Sequence, residues 1–435
     1  MRSIAELAAG FRDASLSPVA VARDCLDAIA AAEPALNAVA TLLASQAVTA
    51  AEQAGRELRA GHDRGPLHGV PVAVKDLFAM AGEVSRFGAD PTFHEHPSTD
   101  SAVVARLRAA GAVIVAKTNM LEFAYGAVHP DIGQTNNPHD LGRTSGGSSG
   151  GSAALVAAGL VPAAVGTDTG GSIRIPAAYC GIVGMKPSLG LIDLAGALPL
   201  SWTLDHAGPM AARVDDARLL LAALAGQRFD ATPVQARGLR LGVIAAHRDA
   251  ACITPDMRRA FDAACTRLTR AGAVLGDVAI PDLAHVSDAL MLILLPEALA
   301  VHAGRLARAP ERMAPGTRLQ LEAGAAIPAL AHVRARQLRT RLRACVAALF
   351  AGCDALISPT VPYEAPAEDP PMDDGGGSDE MLCTALANLV GFPALSLPCG
   401  LSASRLPLGL HVMAGPGQDS RLLAIAAAIE ATLVA

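Results

Sequence analysis

Lysine is nearly missing from this sequence: of 35 lysines and arginines in 435 residues, only Lys75, Lys117 and Lys186 are lysines. Arginine stays charged in a protein, whereas burial can lower a lysine until it is a neutral amine and a base. The scarcity nominates three positions, unless arginine richness merely reflects nucleotide composition. Aromatic residues make up 3% of the chain and the net charge is −6, so the stacking residues and basic footprint of a nucleic-acid binder are lacking. The eight cysteines are scattered without a C-x-x-C pair, which argues for reduced, mostly buried thiols and against a disulfide frame or zinc site. The one histidine cluster, His94-Glu95-His96, lacks the i, i+4 spacing of a helical metal pair, and no metal or other cofactor is expected. Arg2, Glu6, Arg12 and Asp13 interrupt the first sixteen residues, unlike a signal peptide, and no run of about eighteen apolar residues follows. The expectation is a cytoplasmic monomer or homodimer acting on a small molecule, without nucleic-acid or membrane partners.

What the chain does have is 51% hydrophobic residues against 17% charged, enough for a sizeable buried core. Helical periodicity marks Ile4 to Phe11, Val19 to Ala32, Ala47 to Arg59, residues 99–110, Ser152 to Gly159 and Arg334 to Phe350. Between them, "HGVPVAVKDLF" reads as a strand ending at Lys75 and "GAVIVAKTNM" as a buried strand ending at Lys117. "LVPAAVGTD", "LRLGVIAA", "DALISPT" and "PALSLPCG" read as further strands. This alternation predicts an α/β fold, one domain with a parallel or mixed sheet covered on both faces. The segment "AEDPPMDDGGGSDE", Ala367 to Glu380, reads as a mobile surface loop that either covers a pocket or stands solvated.

Two glycine-serine clusters, "GGSSGGS" from Gly146 and "GTDTGGS" ending at Ser172, flank one apolar run. No lysine follows a glycine, so a phosphate-binding Walker loop is absent. Gly147 to Gly151 matches G-x-S-x-G, but "NPHDLGRTS" before it reads as no strand, which argues against a nucleophile elbow. The residues three before each lysine are Val72, Ile114 and Val183, so S-x-x-K is absent too. In "GTDTGGS" a serine ends a glycine-rich turn after a strand, where the N–H groups of Thr169, Gly170, Gly171 and Ser172 can converge. That is how an oxyanion hole is built, and it makes Ser172 a nucleophile candidate. An incidental serine in a glycine turn is the plainer alternative.

Taken together, these residues resemble the amidase signature family. The likeness extends from "PLHGVPVAVKD" through "AKTNMLEFAYG", Gly146 to Ala177, "GIVGMKPS" and "SWTLDHAGPM" to "DALISPTVP" and "GFPALSLPCG". It spans nearly the whole chain, with a core over about residues 65–225 and a more variable helical, substrate-side region over about 227–350. The resemblance implies a Ser-Ser-Lys triad in which Ser172 is the nucleophile, Ser148 the relay after a cis peptide bond to Gly147, and Lys75 the base. It places the oxyanion donors on the backbone of Thr169 to Ser172. Ser149 is expected to bond within the site, and Asp168 and Arg174 to pair and brace the loop, or to be structural. Lys117 and Lys186 match structural positions.

Substrate choice is less legible. Arginine stands second after Ser172, and Ile175 occupies the third position, where malonamidase-like members carry an arginine for a substrate carboxylate. Phe78, Met80, Phe87, Tyr125 and Trp202 suggest a pocket for an apolar or aryl group, or else are core. The expected activity is hydrolysis of small apolar or aryl amides, with aryl esters and carbamates as further substrates. A glutaminase subunit of a tRNA-dependent amidotransferase is the second reading, and a non-catalytic scaffold or binding protein the third.

Overall fold

The apolar segments of residues 2–229, 232–370 and 379–434, which the computed structural model describes, gather on one mixed sheet of eleven strands. In chain order the strands are β1 Val39–Leu42, β2 Pro71–Lys75, β3 Val113–Thr118, β4 Asn136–Asn137, β5 Asp140–Thr144, β6 Ala163–Asp168 and β7 Val183–Lys186. There follow β8 His206–Ala211, β9 Arg240–Ile244, β10 Val274–Val278, β11 Ala355–Pro359, β12 Ala394–Leu401 and β13 Pro407–Met413. The sheet order is β1-β3-β2-β6-β8-β7-β12-β13-β11-β9-β10, while β4 and β5 form a separate ribbon. Strands β3, β2 and β6 are parallel neighbours, and β8 runs antiparallel beside β6 with Asp168 opposite His206.

Both faces of the sheet are covered, and the period-two alternation of side chains shows it. Val72, Val74, Ile114 and Val165 enter one large core, while Ala73, Val113, Val115 and Ala164 enter a second against helices Pro18–Leu36 and Gly150–Ala157. The fold is a single α/β domain with a mixed sheet flanked by helices, as the alternating pattern predicts. The N-terminal helix Ile4–Arg12 starts at a capping box in which the Ser3 hydroxyl accepts from the Glu6 N–H and the Glu6 carboxylate reaches back.

All six strand segments predicted from sequence form strands. The short strands β7 and β8, "VGMK" and "HAGPMA", carry glycine and proline and owe their conformation to pairing inside the sheet, not to local propensity. The reading of "NPHDLGRTS" as strandless is corrected by the β4–β5 ribbon, which the Asn137 side chain ties to the carbonyls of Thr144 and Tyr179. Of the loop expected over Ala367 to Glu380, residues 371–378 lie outside the described residues. Among the described residues one helix, Leu283–Arg308, is long and apolar enough to cross a membrane by length and composition; here one of its faces packs on helices Pro315–Ala325 and Ala329–Leu349.

Three residues after the end of β2 stands Phe78, which has no exposed surface and belongs to the large core. Phe78→Ala is expected to cost about 3–5 kcal/mol of stability, read as a lower denaturant midpoint with an unchanged slope.

Candidate active site

The carboxyl ends of the adjacent parallel strands β2 and β6 meet at one point, where a ligand site is expected in open α/β sheets. Lys75, the last residue of β2, has no exposed surface, and its Nζ lies 2.7 Å from Ser148 Oγ, 2.9 Å from Thr167 Oγ1 and 3.0 Å from Ser149 Oγ. Ser148 follows a cis peptide bond to Gly147, a position where a Cβ would collide with Leu121. Ser149 is locked in place. Its hydroxyl donates to the Thr167 carbonyl at 3.2 Å and accepts from the Thr167 N–H at 3.2 Å, and its own N–H donates to the Ser172 carbonyl. Burial lowers the Lys75 amine to about 7, against the opposing pull of the Asp168 and Asp205 carboxylates.

Beyond β6, residues Thr169 to Ser172 form a turn held on every side. Asp168 and Arg174 are both fully buried and pair at 2.9 Å. The Asp168 carboxylate also accepts from the Ile173 N–H at 3.1 Å and the Asn388 amide at 2.8 Å. Burial alone would raise this carboxyl, but the Arg174 guanidinium holds it well below the usual carboxylate range. Arg174 in turn donates to the Thr384 carbonyl at 2.9 Å. The Thr169 hydroxyl donates to Asp205 at 2.7 Å, and the Thr384 hydroxyl donates to the Gly170 carbonyl at 2.6 Å. Gly171 has φ +152°, and a Cβ there would sit 2.5 Å from the Thr384 hydroxyl, so glycine is required. Ile175 N–H and Ser149 N–H occupy the Gly171 and Ser172 carbonyls. The N–H groups of Gly170, Gly171 and Ser172 have no acceptor among the described residues.

These groups face a cavity of about 60 Å³ lined by Gly147, Ser148, Thr169 to Ser172 and a set of apolar side chains. A larger cavity of about 820 Å³ adjoins it and shares Gly126, Met291, Gln320, Asp369 and Pro370.

The model of the amidase family matches residues 20–423 of the sequence. This chain belongs to the amidase family. It is 38% identical over 427 residues to an amidase of Pseudomonas putida, covering 93% of this chain and 90% of that one. It is also 38% identical to a glutamyl-tRNA(Gln) amidotransferase subunit of Acidothermus cellulolyticus, over 99% of this chain and 94% of that one. The solved structure of a bacterial aryl acylamidase of the amidase signature family superposes with a TM-score of 0.89 at 27% identity, covering 99% of this chain and 96% of that one.

Within this amidase the structure gives the residues singled out from sequence different placements. Lys75, Gly147, Ser148 and Ser149 meet the turn of Thr169 to Ser172, with Asp168 and Arg174 pairing directly behind it. Tyr125 lines the cavity in front of Ser172. Trp202 is 58% exposed and borders another cavity of about 210 Å³, which shares Ala124, Thr169 and Leu200 with the one at Ser172 and reaches Thr167. The pocket assignment of Phe78, Met80 and Phe87 is corrected: all three are buried in the large core, and none lines the cavity at Ser172. Lys117 pairs with Asp76 at 2.8 Å, and Lys186 donates to the Pro187 carbonyl and touches His206. Neither lines the cavity.

Sequence reading missed Thr167, Asp205, Thr384 and Asn388. Thr167 follows Val165 on the large-core face of β6 while Lys75 follows Ala73 on the other face of β2, so strand periodicity separates the two and only the reach of the lysine around the strand ends brings them to 2.9 Å. The other three reach the turn from 36 or more residues away, with no local pattern to flag them.

An unfolded lysine holds its proton up to about 10.4, while Lys75 in the folded chain releases it near 7. Between those values the unfolded state binds more protons, so this group makes stability rise with pH and penalises the fold most below 7. Lys75→Met is therefore expected to have a higher thermal midpoint than wild type at pH 6, with the gap narrowing steadily toward pH 10.

Proposed function

We propose that this amidase hydrolyses small apolar or aryl amides through an acyl-enzyme on Ser172, with Ser148 as relay and Lys75 as base. The observation that carries the reading is a buried, depressed lysine in contact with Ser148, beside three unpartnered N–H groups at Ser172. A neutral amine has two N–H donors and one lone pair. Ser149 spends its own proton on the Thr167 carbonyl and must accept from Lys75, which leaves the lone pair for Ser148 or Thr167; Ser148 is the shorter contact. In this reading Lys75 takes the Ser148 proton as Ser148 takes that of Ser172, whose oxygen attacks the amide carbon. The N–H groups of Gly170, Gly171 and Ser172 then receive the developing oxyanion. The protons return through Ser148 to the leaving amine, and water attacks the acyl-enzyme by the same relay. Aryl esters and carbamates pass through the same kind of oxyanion and are expected side substrates.

Leu121, Tyr125, Ile175, Leu200, Leu294 and Met381 around Ser172 support an apolar or aryl group, as does the likeness to the aryl acylamidase. The likeness to the glutamyl-tRNA(Gln) amidotransferase protein favours glutamine as a second reading. Against it, no Lys, Arg or His lines either cavity among the described residues, so glutamine's α-carboxylate would find no cation. Glutamine-dependent ammonia release with a co-purifying partner protein would favour that reading. The eight free cysteines support a cytoplasmic location, and we place the chain there as a monomer or homodimer.

A panel of nitroanilides and nitrophenyl esters tests the proposal. Ser172→Ala is expected to fall to about one-thousandth of wild-type turnover or less, and an aryl phosphonate to label Ser172 in wild type. Labelling elsewhere, or activity retained by the variant, would return the site to a scaffold role. Because the base must be neutral, kcat/KM should rise about tenfold per pH unit up to about 7 and level off above it.

A further inference from the structure

We infer that the site binds a substrate carrying a cationic nitrogen, held between Tyr125, Gln320 and the carboxylates Asp369 and Glu380, with its apolar portion extending into the larger cavity. This rests on the amide-hydrolase reading above and narrows it to amines that also contain the scissile amide.

Three polar side-chain atoms lining the cavity in front of Ser172 are buried with no hydrogen-bond partner among the described residues: Tyr125 Oη, Gln320 Oε1 and Asp369 Oδ1. Tyr125 is 4% exposed and Gln320 9% exposed, so water does not replace the missing partners freely. Each of the three can accept, and two of them can only accept, which matches an ammonium group with three donors and no acceptor. The charge points the same way. Asp369 and Glu380 line this cavity, Glu368 lines the adjoining one, and no basic side chain lines either among the described residues. Glu380 is already oriented, since its carboxyl accepts from Tyr179 Oη at 2.8 Å. Burial raises both Asp369 and Glu380, and Asp369 raises Glu380 further. A cation between them would relieve that repulsion. On the far side, Val128, Leu295, Leu319 and Ala323 offer an apolar surface continuous with the shared wall.

Two measurements test the inference. Calorimetric titration of the full chain with isopentylammonium chloride and with isopentanol is expected to give at least about tenfold tighter binding of the cation. Equal binding of the two, or no binding of either, overturns the inference. The preference should fall severalfold in both Asp369→Asn and Glu380→Gln, and a preference unchanged in both also overturns it. In parallel, leucine 4-nitroanilide should exceed its deaminated analogue, 4-methylpentanoic acid 4-nitroanilide, by at least about tenfold in kcat/KM. Turnover of both without that preference sinks the cation site and leaves the hydrolase reading intact. Cation-selective binding without turnover of either does the reverse.

Discussion

The buried pair of Asp168 and Arg174 is the interaction on which the site depends. Asp168 ends β6, Arg174 starts the next helix, and the turn between them holds Ser172. Together the two charges gather Ile173, Thr384, Asn388 and His411 from segments more than two hundred residues apart in the chain. Removing one member of such a pair leaves an uncompensated buried charge and typically costs about 3–5 kcal/mol. Here that cost would fall on the geometry of three N–H groups as well as on stability. Thr169 and Gly170 are fastened separately, by Asp205 and Thr384, so the turn is fixed at each residue and not only at its ends.

Around this pair the chain uses its two kinds of cation differently. Arg174 is buried with a carboxylate and several further acceptors around its guanidinium. Lys75 is given only hydroxyls, and nearby carboxylates do not reach it with a hydrogen bond, so burial dominates and the amine sits near neutrality. Lys117 is the instructive contrast. It is equally enclosed but bonded directly to Asp76, and its surroundings make it an ion-pair partner. The near absence of lysine from the chain therefore marks positions whose properties differ, and only the partners tell them apart.

Most of the sheet was legible because its strands are apolar, short and separated by helical periodicity. Strands β7 and β8 were not, since Gly184, Gly208 and Pro209 weaken the local signal and the neighbours β6 and β12 supply the pairing. The pocket was legible in part. Tyr125 and Phe78 are alike as sequence features, yet one lines the cavity and the other only the core, a difference of tertiary placement that no local pattern carries. The polar atoms Tyr125 Oη, Gln320 Oε1 and Asp369 Oδ1 come together from three distant segments, and no local pattern announces that.

By itself the sequence determined the α/β architecture, through periodicity and hydrophobic content. With its family likeness it also pointed to the glycine-serine turns and to Lys75 as the groups to watch. Those are properties of composition and short-range spacing, which the chain carries whether folded or not. Tertiary structure alone decided which buried lysine meets the serine hydroxyls, which N–H groups stay unpartnered and which aromatic side chains face the cavity. Each of those depends on desolvation and on partners brought from far along the chain, and neither exists until the sheet has closed over them.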